Sequence, residues 1–268
     1  MDPLDPNAKI QWAFIELTYL ATDDVFANLS YVDFVSLALG ISLESANGTQ
    51  TALGIRADGV TNICNDLRHQ ATLTGQPWDQ LCVTDSANHV LRVLSPTSYL
   101  SRQPTAFQDY YRDYVDRVWE EYSHRALLLK TQSSAGDVEC IVSGSLLRCD
   151  GDNRPYERPT AADIFGCNSG PFALAEDDNE VHRAVVPILC AAFTRSTLSG
   201  SNTQPSSDPT TYYNTSPTNF YSKLVHDYEL DGRGYAFAYD DVNPTGENQA
   251  GLLLCSHPRS LTITVGGP

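Results

Sequence analysis

Two carboxylates stand in runs that otherwise read as apolar: Glu16 in "WAFIELTYL" and Asp33 in "LSYVDFVSLALG". Cleavage of a glycosidic bond needs such a pair, one carboxyl protonated to assist the leaving oxygen and one ionised to activate water or attack the sugar. Trp12, Phe14 and Tyr31 lie close to these acids in sequence and supply rings on which sugars stack. Apolar surroundings also favour the protonated form that a general acid requires. On spacing alone, the competing reading of two ordinary outward-facing strand carboxylates carries equal weight. A second acidic cluster, "DGRGYAFAYDDV", holds Asp231, Asp240 and Asp241 among Tyr235, Phe237 and Tyr239. Its glycines permit a tight turn, and its aspartates either cap that turn or line the same cleft, with Asp240 favoured for the turn.

The elements that must position these groups can be read from periodicity. Alternation puts Ala13, Ile15, Leu17 and Tyr19 on one face of a strand and Trp12, Phe14, Glu16 and Thr18 on the other. "LSYVDFVSLALGISLES" reads as a strand pair or bent strand in which Tyr31 and Asp33 share a face, next to the strand of Glu16. The aromatic alternation before Asp240 reads as a further strand. Helical spacing begins near Gly59 and ends before Gly75; a second helix, with a Tyr-rich and Trp-rich stripe, is expected over Thr105 to Ser123. Later segments predict a hairpin turned at Ser143 to Ser145, a helix from about Asn179 to Arg195, a polar loop to Asn219, a short helix and a closing strand. Strands predominate, so the expected class is α+β and β-rich, a sandwich or barrel core over about residues 1–58 and 127–268 with a helical insert over about 59–125.

The formal charge of −16 in 268 residues argues against nucleic acid, which selects a basic footprint, and a neutral polysaccharide meets no such repulsion. Apolar runs fall short of the about 20 residues a membrane helix needs, so no membrane partner is expected. The seven cysteines lack zinc or redox pairing motifs and read as disulfides, with sequence neighbours suggesting Cys64 with Cys82, Cys140 with Cys149 and Cys167 with Cys190. Other connectivities are open on sequence grounds. Sequons at Asn28, Asn47 and Asn214, each in a turn-like polar context, fit a glycosylated secreted protein, although "MDPLDPNAKI" is no signal peptide. The histidines are scattered without ligand spacing, and neither metal nor cofactor is expected.

Taken in order, "IELTYL", "FANLSYVDFVSLALG", "PTAADIFGCNSGPF", "AAFTRSTL" and "DGRGYAFAYDDV" resemble the family 64 glycoside hydrolases, endo-β-1,3-glucanases, with the fungal branch the closer likeness. The same stretches resemble thaumatin-like proteins, whose acidic cleft is built from comparable segments. The resemblance implies a secreted, thaumatin-like β-sandwich with inserted helices. It further implies inverting cleavage of β-1,3-glucan in a wide groove by a monomer, with Glu16 as general acid and Asp33 as general base. Thr18, Trp12, Tyr31, Tyr239, Asp240 and Asp241 become the expected substrate contacts. Two departures from the family pattern stand out: an extra residue near "LATDDV", and only fifteen residues ahead of Glu16. The second implies that an N-terminal β-barrel wall is missing and that sheet edges and apolar surface are left uncovered. A glucan-binding or antifungal protein without catalysis, or an inactive fragment, are the alternatives.

Overall fold

The computed structural model describes residues 5–267. In chain order the elements are β1 (Ile15–Tyr19), β2 (Asp24–Leu29), β3 (Phe34–Val35), β4 (Leu39–Ser45), β5 (Gly48–Ala52), α1 (Gly59–Thr74), β6 (Cys82–Thr84), β7 (Val90–Leu94) and α2 (Pro96–Leu100). There follow α3 (Arg112–His124), β8 (Leu127–Lys130), β9 (Asp137–Ser143), β10 (Leu146–Cys149), α4 (Ala161–Gly166), α5 (Glu180–Thr194) and β11 (Thr203–Gln204). The chain closes with α6 (Phe220–Tyr228), β12 (Leu253–Ser256) and β13 (Pro258–Val265). It divides into two compact units, one of residues 1–103, 220–241 and 248–268, the other of residues 104–219 and 242–247. The helix α1 thus belongs to the first unit and α3 to the second.

The first unit carries three small sheets, ordered β1-β2-β12, β13-β4-β5 and β3-β7-β6. Strand β2 pairs antiparallel on both sides, with Leu17 opposite Ala27 and Leu253 opposite the same residue. Ala27, Leu29 and Leu253 are buried as that register requires, because residues two apart share a face. At the edge, Leu17 and Tyr19 lie on this same face yet remain 56% and 62% exposed. The outer strand β13 also shows Ile263 and Val265 to solvent. Helix α1 buries Val60, Ile63, Cys64 and Leu67 and stops at Gly75, whose φ of 68° is one that glycine adopts without a Cβ clash. The Cys64–Cys82 disulfide ties this helix to β6.

The second unit is built on the sheet β10-β9-β8-β11. Its β9–β10 hairpin turns at Gly144, with a φ of 64°, and carries Cys140–Cys149 across the pair. Helix α3 buries Tyr114, Val115, Val118, Trp119 and Tyr122, the stripe expected from spacing, but starts at Arg112 rather than Thr105. Phe107 explains the late start: its φ of 57° is left-handed, which an α-helix cannot absorb in a residue with a Cβ. Asn179 caps α5 by accepting from the His182 amide, and Cys167–Cys190 anchors that helix to the end of α4. All three disulfides pair as expected, and Cys255 is free and buried. Among the described residues no helix is long and apolar enough to cross a membrane.

The Cys167–Cys190 bridge closes a span of 23 residues, for which chain-entropy reasoning gives about 3 kcal/mol of stabilisation. Replacing both cysteines with alanine is expected to lower the free energy of unfolding in urea by about that amount, while the Cys255→Ser protein keeps its three bridges.

Candidate active site

Glu16 sits on β1 opposite Asn28 of β2, with its side chain exposed. The Asn28 side-chain Nδ2 donates to one Glu16 carboxylate oxygen at 3.0 Å, so this contact orients the carboxyl and leaves the second oxygen for another partner. Asn28 itself is only 7% exposed. Its sequon therefore lies in a buried strand rather than in a turn, out of reach of glycosylation in the folded chain, whereas Asn47 and Asn214 are exposed. Thr18, two residues along β1, shares the Glu16 face and is exposed too.

Beyond β2 the ladder continues through the acidic segment. The Tyr31 amide donates to the Tyr235 carbonyl at 2.7 Å, and the Tyr235 amide donates to the Leu29 carbonyl at 3.0 Å. These two bonds seat the Tyr235–Asp241 stretch beside the end of β2. The expected strand before Asp240 is absent; the stretch is wound in turns, because Asp240 folds back to accept the Ala236 amide at 2.8 Å. Tyr235 sits among acids: burial, then the Asp241 carboxylate, then Asp240 and Glu16 push its phenol above the ordinary value. Burial and Asp241 likewise raise Tyr239, which is half-buried. Glu16, Tyr235, Tyr239 and exposed Asp241 thus share one electrostatic neighbourhood.

Asp33 is exposed, at a bend just before β3 and not inside a strand, and its sheet is β3-β7-β6 rather than that of Glu16. What fixes it is long-range: Phe34 pairs with Leu94, and the Ser95 amide donates to the Asp33 carbonyl at 2.9 Å. Its carboxylate acts on buried Tyr221, whose phenol is raised by burial first and by Tyr31, Asp33 and Glu229 after it, and which donates to the Tyr31 carbonyl at 2.6 Å.

Three expected substrate contacts are placed differently from the expectation. Tyr31 is 3% exposed and does not share the solvent-facing side of Asp33, because the chain bends between them. Asp240 is fully buried and spent on the turn. Trp12 lies before β1 and is half-buried, its ring 4.7 Å edge-on from Phe34 and 5.9 Å from the guanidinium of buried Arg92. The ring is held by packing and by a cation over its face. Glu16 is likewise solvent-facing, without the apolar enclosure expected for it.

Sequence reasoning missed a buried knot beneath this surface. His226 of α6 contacts Glu229 through Nδ1 and Asp240 through Nε2, both at 2.9 Å, and neither carboxylate is exposed. Burial works against the charged imidazole, but Asp240 and Glu229 outweigh it and hold His226 well above its ordinary value. Burial pushes Glu229 up to about 7 against the pull of His226. The three-residue spacing of His226 and Glu229 on a helix end was the one signal available in sequence.

The family profile of glycoside hydrolase family 64, described as Beta-1,3-glucanase, matches residues 1–265. A Glucan endo-1,3-beta-glucosidase of Cellulosimicrobium cellulans is 26% identical over 247 residues, which cover 89% of this chain and 43% of that protein. A second, from Arthrobacter sp. (strain YCWD3), gives the same identity and coverage. The chain therefore spans less than half the length of the curated relatives it matches. Among solved structures, a laminaripentaose-producing beta-1,3-glucanase in complex with laminaritetraose superposes with a TM-score of 0.85 at 29% identity, over 98% of this chain and 70% of that one. A beta-1,3-glucanase domain from Clostridium beijerinckii, at 22% identity and a TM-score of 0.74, shares the fold over 97% of this chain and 65% of that one. The source organisms named for these relatives are bacterial, which gives the expected fungal branch no support.

Two outcomes follow from the buried knot. A Cβ on Gly234 would stand 2.2 Å from a Glu229 carboxylate oxygen and 2.7 Å from the Tyr31 ring, so Gly234→Ala is expected to cost about 1–3 kcal/mol in chemical denaturation. Glu229 holds its proton more tightly folded, at about 7, than its ordinary value of 4.5. Its contribution to stability is therefore full below that ordinary value and is lost as pH rises towards 7. The contribution of His226 is full below 6.5 and is lost only as pH passes its raised value. Glu229→Gln should flatten the fall of Tm between about pH 5 and 7, measured by calorimetry against the parent.

Proposed function

This chain belongs to glycoside hydrolase family 64, the β-1,3-glucanases, and on that premise we propose that it cleaves β-1,3-glucan internally, with inversion, into short oligosaccharides. The observation that carries the reading is the likeness, over 98% of the chain, to a β-1,3-glucanase solved with laminaritetraose. In this reading the glucan lies across the exposed acidic surface, with Glu16 giving its proton to the glycosidic oxygen. Asp33 takes a proton from the water that attacks the opposite face of the sugar. Inversion sets the two carboxyls about 6.5–9.5 Å apart, leaving room for that water.

The local chemistry suits these roles. Asn28 donates to Glu16 and so fixes which oxygen faces the bond to be cut. Asp33 is held through its own backbone by the β7–α2 junction, which frees its carboxylate for water. Thr18, Tyr239 and Asp241 are the exposed or half-exposed groups available to hydrogen-bond sugar hydroxyls, and half-buried Trp12, packed on Phe34, offers an aromatic edge. A neutral polymer approaches a protein of net charge −16 without electrostatic repulsion. The disulfides agree with a secreted protein acting on an extracellular polysaccharide; action as a monomer and the thaumatin-like description of the fold belong to the same reading.

Glu16→Gln keeps the hydrogen-bonding shape of the side chain but has no proton to give. Its turnover of laminarin should fall by roughly 10²–10⁴-fold with binding of laminari-oligosaccharides unchanged. Asp33→Asn should behave alike. Equal loss of binding and turnover in both variants would remove the pair from catalysis, and full turnover in Asp33→Asn would remove Asp33 as base.

A further inference from the structure

The His226 knot is joined to the reactive surface by a short, traceable chain of contacts. One imidazole bridges two buried carboxylates of different elements, Glu229 just past the end of α6 and Asp240 in the turn that follows. The same Asp240 oxygen that meets His226 also accepts the Ala236 amide at 2.8 Å, while the Asp240 amide donates to the Phe237 carbonyl at 3.2 Å. A second tie runs from α6 to the turn: the Ser222 hydroxyl donates to the Ala236 carbonyl at 3.1 Å. Tyr235 and Asp241 flank the turn so closed. Tyr235 is bonded through its backbone to Leu29 and Tyr31, at the end of the strand whose Asn28 holds Glu16, and the Asp241 and Glu16 carboxylates both act on its phenol. Burying a carboxylate is costly, and the His226 imidazole offsets that cost for Asp240, so His226 helps to keep Asp240 turned inside.

We propose that His226 is a positioning residue of the glucanase site: by bridging Glu229 and Asp240 it locks the Ala236–Asp240 turn and so holds Tyr235 and Asp241 beside Glu16. This rests on the glucanase reading of the surface. His226 does not touch substrate in this arrangement; it acts through the turn. The charged and titratable groups around the knot include Asp240 from the turn, the Tyr235 phenol on which Asp240 acts, Glu229 and then Asp231 with its Arg233 partner from the segment after α6, and the buried phenols of Tyr31 and Tyr221. On the α1 side, Tyr228 is bonded to Asp66 and covered by Arg56. Removing the imidazole leaves Glu229 and Asp240 without their shared cation, a defect that protonation relieves. The loss should therefore deepen as pH rises, which a simple packing defect would not do.

The test compares the parent chain with His226→Gln and with Ser222→Ala, which removes the second tie without altering a charge. Amide hydrogen exchange is read over residues 229–241 and over β4 as an internal control, and kcat and KM on laminarin are read between about pH 5 and 8. In His226→Gln, exchange of the Ala236 and Asp240 amides should speed up while β4 stays protected. The kcat should fall about tenfold or more at the alkaline end and recover towards the acid end. Ser222→Ala should show a smaller loss of the same kind with no pH dependence. Unchanged protection of Ala236 and a kcat profile parallel to the parent would overturn the inference. So would exchange that accelerates equally in β4, with a pH-independent kcat loss, because that marks general destabilisation. If His226→Gln does not fold, Ser222→Ala alone decides, since a loose turn with parental kcat overturns the link between turn and site. A parent chain without turnover on laminarin overturns the glucanase reading on which the inference rests, an outcome distinct from parental kinetics surviving the substitutions.

Discussion

Strand β2 is the member on which the candidate site hangs, because it is paired on every side that matters. Strand β1 along one edge brings Glu16 opposite Asn28; β12 along the other closes the core row of Ala27 and Leu253. Where β2 ends, Leu29 and Tyr31 take up the Tyr235 backbone. A slip of one residue in any of these pairings would turn Glu16 to the other face and bring the wrong residues of the acidic segment beside it. Hydrophobic burial on the inner face of β2 therefore does for the site what a specific contact could not: it fixes which side of the sheet every neighbouring carboxylate meets.

Burial and charge are arranged in two tiers around that strand. The outer tier, Glu16, Asp33 and Asp241, is solvent-facing, where carboxylates cost little and remain available to a sugar chain. The inner tier, Glu229 and Asp240, is buried, and the His226 imidazole between the two acids offsets the cost of burying them. Gly234 belongs to the same arrangement, since any side chain there would strike both Glu229 and the ring of Tyr31. The surface thus owes its placement to backbone pairing and its local order to an ion-paired interior.

Local patterns in the sequence were enough for β1, α1, the β9–β10 hairpin and α5, whose periodicity or caps lie within a few consecutive residues. They were enough, too, for Glu16 and Thr18 sharing a strand face and for the pairing of cysteines close in sequence. Asp33 was misjudged as a strand residue because β3 is two residues long and exists by pairing with β7, distant in sequence. "YAFAYDD" alternates like a strand, but Asp240 turns inward to Ala236 and His226, a preference no alternation pattern contains. The Asn28 sequon misled for the same reason, since its burial is decided by both neighbours of β2. Long-range polar contacts are what the sequence concealed.

The most direct measurement is incubation of this chain with laminarin, with the anomeric protons of new reducing ends followed by NMR from the first minutes. Inverting cleavage by the Glu16 and Asp33 pair requires α-anomer to appear first and to equilibrate only later by mutarotation. Initial β-anomer would contradict the inverting arrangement, and no new reducing ends from a chain that melts cooperatively would contradict hydrolysis itself.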